Sequence, residues 1–160
     1  MKFERLTLAI YTWFSETSGI ATIWAEQSGP KPKRPYATLK LITGAVKVGG
    51  EDNLRQYTSG KFVLNGPRTV TVRCQVFGEG ALDILSTVRD SLDDPSIIDG
   101  LDLSGLSVQD DGEPSNVTER LETSYEIRAV MDVKFDFNEE RVANVGYVSE
   151  TTVNGRNIVS

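Results

Sequence analysis

The 160-residue chain has no histidine and a single cysteine. Without histidine there is no Ser-His-Asp or Cys-His nucleophilic machinery, no His-containing zinc site and no facial-triad iron site. One cysteine excludes an internal disulfide and a thiolate zinc cluster. Cys74 lies in Thr69-Val70-Thr71-Val72-Arg73-Cys74-Gln75-Val76. Even positions there are apolar and most odd ones polar, so Cys74 reads as a small buried hydrophobe rather than a reactive thiol. A lone free cysteine suits a reducing compartment. Long hydrophobic runs are also missing: none approaches the roughly 20 residues that cross a bilayer, and no membrane partner is expected. No basic-then-apolar leader opens the chain, so export by a signal peptide is not expected. Positive charge is the scarcer sign. With 17 Lys+Arg against 23 Asp+Glu the net charge is -6, which argues against a chain that wraps nucleic acid.

What is present fits one compact domain with a real core, because a chain of this length buries about 70% of its unfolded surface. The charge is unevenly spread. Residues 1–80 hold 11 Lys+Arg and 6 Asp+Glu, giving +5; residues 81–160 hold 6 and 17, giving -11. Apolar Phe3, Leu6, Ile10, Trp13 and Phe14 recur at steps of three and four, which predicts a helix over residues 2–16 closed by Ser18-Gly19. Ile20 to Ala25 is a short β-prone run. A basic, proline-rich connector follows, Gln27-Ser28-Gly29-Pro30-Lys31-Pro32-Lys33-Arg34-Pro35, which cannot be regular structure. Tyr36 to Thr43 reads as a strand. Tyr57 to Leu64 and Thr69 to Phe77 read as a hairpin joined through Asn65-Gly66-Pro67. Gly78-Glu79-Gly80 opens a helix to Leu92, stopped by Asp93-Asp94-Pro95, and residues 96–105 read as an irregular acidic stretch.

The strongest signal is the alternation Tyr125, Ile127, Ala129, Met131, Val133, Phe135 and Phe137, a half-buried strand of 13 residues. At about 3.3 Å per residue it reaches roughly 43 Å, against a radius of gyration near 15 Å for a domain of this size. It must bend or project. The expected fold class is α+β in two layers: a mostly antiparallel sheet covered on one face by two amphipathic helices, with a long strand and a projecting C-terminal tail. The expected division is a domain over residues 1–140 and an arm over 141–160, where Val145 to Val153 is β-prone but too poor in apolar groups to fold alone.

Chemical motifs are weak. Gly78-Glu79-Gly80-Ala81-Leu82-Asp83 places aspartate where a dinucleotide fingerprint needs its third glycine, and is a strand-to-helix turn. Asp90, Asp93, Asp94, Asp99, Asp102, Asp110 and Asp111 lack calcium-loop spacing and read as a solvated acidic rim. Trp24, just before the polar connector, is either core or an interface anchor. No catalytic, metal or cofactor residue is assigned.

In chain order the sequence holds Trp13-Phe14, Ile23-Trp24-Ala25-Glu26-Gln27, the linker from Pro32 to Leu39, Val72-Arg73-Cys74-Gln75-Val76-Phe77-Gly78-Glu79-Gly80-Ala81-Leu82, Asp90-Ser91-Leu92, the run Tyr125 to Val133, and Val145-Gly146-Tyr147-Val148. Together these resemble the neck/tail-terminator proteins of tailed bacteriophages over nearly the whole chain. The resemblance implies a structural virion protein, not an enzyme, made in the host bacterial cytoplasm and needing no cofactor. It implies a ring, usually of six copies, that ends the tail tube and joins the tail to the head-side connector or adaptor. Its partners are then other copies of itself, the tail tube protein, the sheath where one exists, and the connector, with DNA only passing through the lumen. Interface residues are expected at Trp24, Lys33 and Arg34, and in the tail at Tyr147, Val148, Thr151, Thr152 and Val153. The alternatives are another completion or head-closure ring of the same neck, or a small carboxylate- or metal-dependent enzyme.

Overall fold

Two long strands of 17 residues, Lys61–Phe77 and Arg128–Asn144, form the axis of the structure, a computed structural model. It describes residues 3–47, 53–58, 61–144, 151–153 and 156–158. In chain order the first half holds α1 (Phe3–Ser18), β1 (Ala21–Trp24), β2 (Tyr36–Leu41), β3 (Val46–Lys47), β4 (Asn53–Thr58) and β5 (Lys61–Phe77). The second half holds α2 (Ala81–Ser91), α3 (Pro95–Leu103), β6 (Leu106–Asp110), β7 (Ser115–Asn116), β8 (Glu119–Arg120), β9 (Tyr125–Glu126) and β10 (Arg128–Asn144), followed by β11 (Thr151–Val153) and β12 (Arg156–Ile158).

The main sheet runs β1-β2-β5-β10-β6, with β3 and β4 also paired to β5 and β7 to β10. All pairs are antiparallel except β1 with β2. A parallel pair needs a crossover, which is the work of the connector at residues 25–35. β5 and β10 pair along their full length, from Phe77 opposite Arg128 to Lys61 opposite Asn144.

One face of the sheet is apolar. Val70, Val72, Cys74 and Val76 of β5 meet Ala129, Met131, Val133, Phe135 and Phe137 of β10 under α1 and α2. Leu6, Ile10, Trp13 and Phe14 bring the helical stripe down onto it. Trp13 stands edge-on to both Phe14 and Phe135, at 5.9 and 5.6 Å between ring centres, and its indole N–H donates to Ser91 Oγ at 3.1 Å. Burying each such ring contributes roughly 2–3 kcal/mol before the entropy of ordering it is counted.

The α+β class with a mostly antiparallel sheet and a long strand stands as expected from sequence, with three differences of detail. First, Asn65-Gly66-Pro67 is not a turn, because β5 runs straight through it. On the side away from β10, β4 pairs as far as Asn65 and β3 begins at Arg68. Gly66 and Pro67 fall in the gap, where a residue without an N–H is tolerated as on an edge strand. The hairpin is instead β4 with β5. Second, the stretch read as irregular holds α3. Asp94 caps it, its carboxylate accepting from the Ser96 N–H at 3.1 Å, and Pro95 takes the first turn. Helices thus number three among the described residues. Third, the long strand starts at Arg128 and continues to Asn144, past the expected end at Phe137; Tyr125 and Ile127 precede it and are exposed.

Candidate functional site

The order of the strands turns the uneven charge of the sequence into an uneven surface. β1, β2 and β5 come from the basic half of the chain and lie on one side of the sheet; β10 and β6 come from the acidic half and lie on the other. Each outer strand, β1 and β6, has one paired side and one side without a strand partner among the described residues.

At the basic edge the connector leaves β1 after Trp24 and enters β2 at Tyr36. Lys31 and Lys33 are exposed. Arg34 is exposed too, but its Nη2 donates to Glu126 Oε1 at 2.9 Å, so its charge is met within the chain. Lys40 of β2 faces Glu26 at 3.4 Å. Trp24 is half-buried opposite Leu39 and packs against the core.

At the acidic edge, residues 90–113 contain eight carboxylates and no lysine or arginine. Arg89 reaches in to bridge Glu113 at 3.0 Å and Asp90 at 3.8 Å. A cleft of about 410 Å³ opens between α3 and β6, and one of about 420 Å³ between α1 and α3.

The sheet face opposite the helices is polar and open. Arg73 makes a two-pronged pair with Asp132, Nε to Oδ1 at 2.9 Å and Nη2 to Oδ2 at 3.1 Å, and the hydrogen bond to Asp132 raises the arginine pKa further. Tyr36 stacks on Phe77, 5.0 Å between ring centres, with the Arg128 guanidinium 5.9 Å from the Phe77 ring. The Arg73–Asp132 and Arg128–Phe77 contacts tie the halves of the chain together across the β5–β10 seam, and Tyr36 on Phe77 joins β2 to β5. At about half exposure each ion pair is worth well under ~1 kcal/mol.

Beyond Phe137, β5 and β10 continue as a pair with β4 beside β5, and Glu140, Arg141 and Val142 of β10 are exposed. Of the tail residues singled out from sequence, Thr151, Thr152 and Val153 form β11, paired with Ile158, Asn157 and Arg156 of β12. Tyr147 and Val148 lie outside the described residues. The structure thus brings Arg34 beside β9 and leaves the two tail strands as a sheet of their own. The sequence signal for that second hairpin is the Asn154-Gly155 dipeptide between two β-prone triplets.

Among the described residues no three His, Cys, Asp or Glu side chains gather as metal ligands. The Cys74 thiol is fully buried, and burial, with Asp132 nearby as a lesser cause, pushes its pKa up. Among the described residues no helix is long and apolar enough to cross a membrane.

Residues 4–158 match the profile of a protein family described as phage neck terminator protein. No curated protein matches the chain. One solved structure aligns over 86% of this chain and 96% of its own, at 12% identity and a TM-score of 0.41.

Proposed function

This chain belongs to the phage neck terminator family, and on that premise we propose that copies of it close into a ring, of six, that ends the tail tube and joins it to the head-side connector. A neck terminator is a structural protein of the virion, and the proposal gives the chain no catalytic step. The observation that supports it best is the pair of unlike sheet edges. A cyclic assembly uses a heterologous interface, one patch against a different patch of the next copy. A basic edge at β1–β2 and an acidic edge at α3–β6 are two such patches. Opposite potentials steer neighbours together and disfavour basic-to-basic or acidic-to-acidic contacts.

The far ends of β5 and β10, with β4 beside them, and the tail beyond are the parts assigned to contact outside the chain's own core. Residues 145–153, Tyr147, Val148 and Thr151 to Val153 among them, pack on a neighbouring subunit or on the tube. An isolated two-stranded hairpin such as β11–β12 is marginal in water, so it gains stability from such docking. Part of the surplus carboxylate faces the lumen, through which DNA passes without being held. The tail tube protein lies below the ring, with the sheath in contractile particles, and the connector lies above.

The test is the mass of the purified protein beside electron micrographs, at low and at high salt and with tail tubes added. A ring of about six, alone or on the tube tip, weaker at high salt, is the expected result. A monomer under all these conditions, with no density added to the tubes, contradicts the proposal.

A further inference from the structure

We propose that the apolar groove between α3 and β6 receives the proline-rich basic connector, residues 25–35, of the adjacent copy; the pairing rests on the ring reading above. The groove holds about 410 Å³. Leu92, Leu101 and Leu106 form its buried floor, and Ile98, 47% exposed, stands at its mouth. Asp93, Asp99, Asp102 and Asp111 line its rim. Other carboxylates of this edge are engaged inside the chain: Asp90 and Glu113 with Arg89, Asp94 as the α3 cap, and Asp110 with the Gly112 N–H at 2.9 Å. The four rim groups have no cation within ion-pair distance among the described residues. A single copy therefore presents an apolar floor framed by uncompensated negative charge.

The connector is its chemical complement. Lys31 and Lys33 are exposed and have no carboxylate partner among the described residues, whereas Arg34 is held by its own Glu126. Pro30, Pro32 and Pro35 supply apolar rings for the leucine floor, and their fixed φ leaves the connector with less backbone entropy to lose on docking. Lysines set between prolines then reach the aspartates of the rim. The groove is not filled by its own connector. That segment is tied at both ends to β1 and β2, and β6 lies at the far side of the sheet, about 19 Å away at four strand spacings. One patch meeting a different patch on the next copy is the relation that closes a ring.

Cross-linking between two full-length variants, Lys33→Cys and Asp102→Cys, tests the pairing, since the native Cys74 is buried and silent. Mixed in equal amounts and oxidised gently, they should give a mixed disulfide dimer several-fold above either homodimer. In parallel, Lys31→Glu with Lys33→Glu should raise the concentration for half-assembly about 10-fold, and Asp99→Lys with Asp102→Lys should restore it when the two are combined. Circular dichroism matching the parent confirms that each variant folds; where a charge variant does not, the cross-link decides. Rings that form while the cross-links are statistical overturn the groove pairing and leave the ring. A monomer at every concentration, with or without tail tubes, overturns the ring and this pairing with it.

Discussion

Cys74 shows how one residue's environment decides its chemistry. It alternates with Val72 and Val76 on the covered face of β5, with no exposed surface. Burial disfavours the thiolate, so the folded thiol keeps its proton to higher pH than the unfolded one. Below about pH 8.5 both states carry the proton and the stabilising effect is complete. Above that only the unfolded chain releases it, and folding stability falls by up to ~1.4 kcal/mol per pH unit until the folded thiol also titrates. Denaturant unfolding of the parent and of Cys74→Val, compared between about pH 8 and pH 10, should show the extra downward slope in the parent alone. A thiol reagent at about pH 8 should label the unfolded chain and leave the folded one untouched. Rapid labelling of the native protein would mean that β5 opens far more readily than its burial allows.

At the level of elements, sequence patterns were informative where a side chain's burial sets the structure and misleading where backbone pairing does. The stripe Leu6, Ile10, Trp13 and Phe14 and the alternation from Ala129 to Phe137 are records of burial, and both read correctly. From Asn138 to Val142 no side chain is buried, yet the strand continues to Asn144, held by its ladder to Lys61–Pro67. No periodicity announces that. Pro67 signals a turn by type, yet sits where, among the described residues, β5 has a strand neighbour on one side only, which only the tertiary pairing reveals. Asp94-Pro95 serves twice, ending α2 and capping α3, and Gly100 with the flanking aspartates dilutes the Ile97–Leu101 spacing that marks α3. Of the residues proposed for an interface, Lys33 and Arg34 are legible as an exposed basic connector. The Arg34–Glu126 pair is not, because 92 positions separate its partners.

The same distinction guides a deletion. A cut at 145 spares every pair of the β5–β10 ladder, whereas one at 142 removes the pairs of Val142, Ala143 and Asn144. Deleting residues 145–160 should shift the melting temperature by no more than about 2 °C, consistent with a loss well below ~1 kcal/mol for a domain this size. It should also weaken ring formation or docking to tail tubes. Calorimetry and co-sedimentation with tubes check the two halves separately. An unchanged oligomer with unchanged docking would remove the tail from the interface.

For the whole molecule, the sheet order converts a linear charge division into two opposed edges, and it also bounds how an assembly treats DNA. Each copy carries a net -6, and Lys31, Lys33 and Arg34 of the connector form one cluster among its exposed cations. If those cations are covered by the next copy, the surfaces left to line a lumen are dominated by carboxylate. Binding to duplex DNA requires phosphate contacts that release counterions, and its affinity falls steeply with salt in proportion to their number. An assembled ring whose cations are occupied offers few such contacts. Electrophoretic mobility of short duplex DNA should therefore be unchanged by assembled protein at about 0.1 M salt, while the unassembled chain, with its connector free, retains weak binding that vanishes as salt rises. Tight binding by the ring with a steep salt slope would place the basic edge in the lumen instead, and would separate the charge division from subunit pairing altogether.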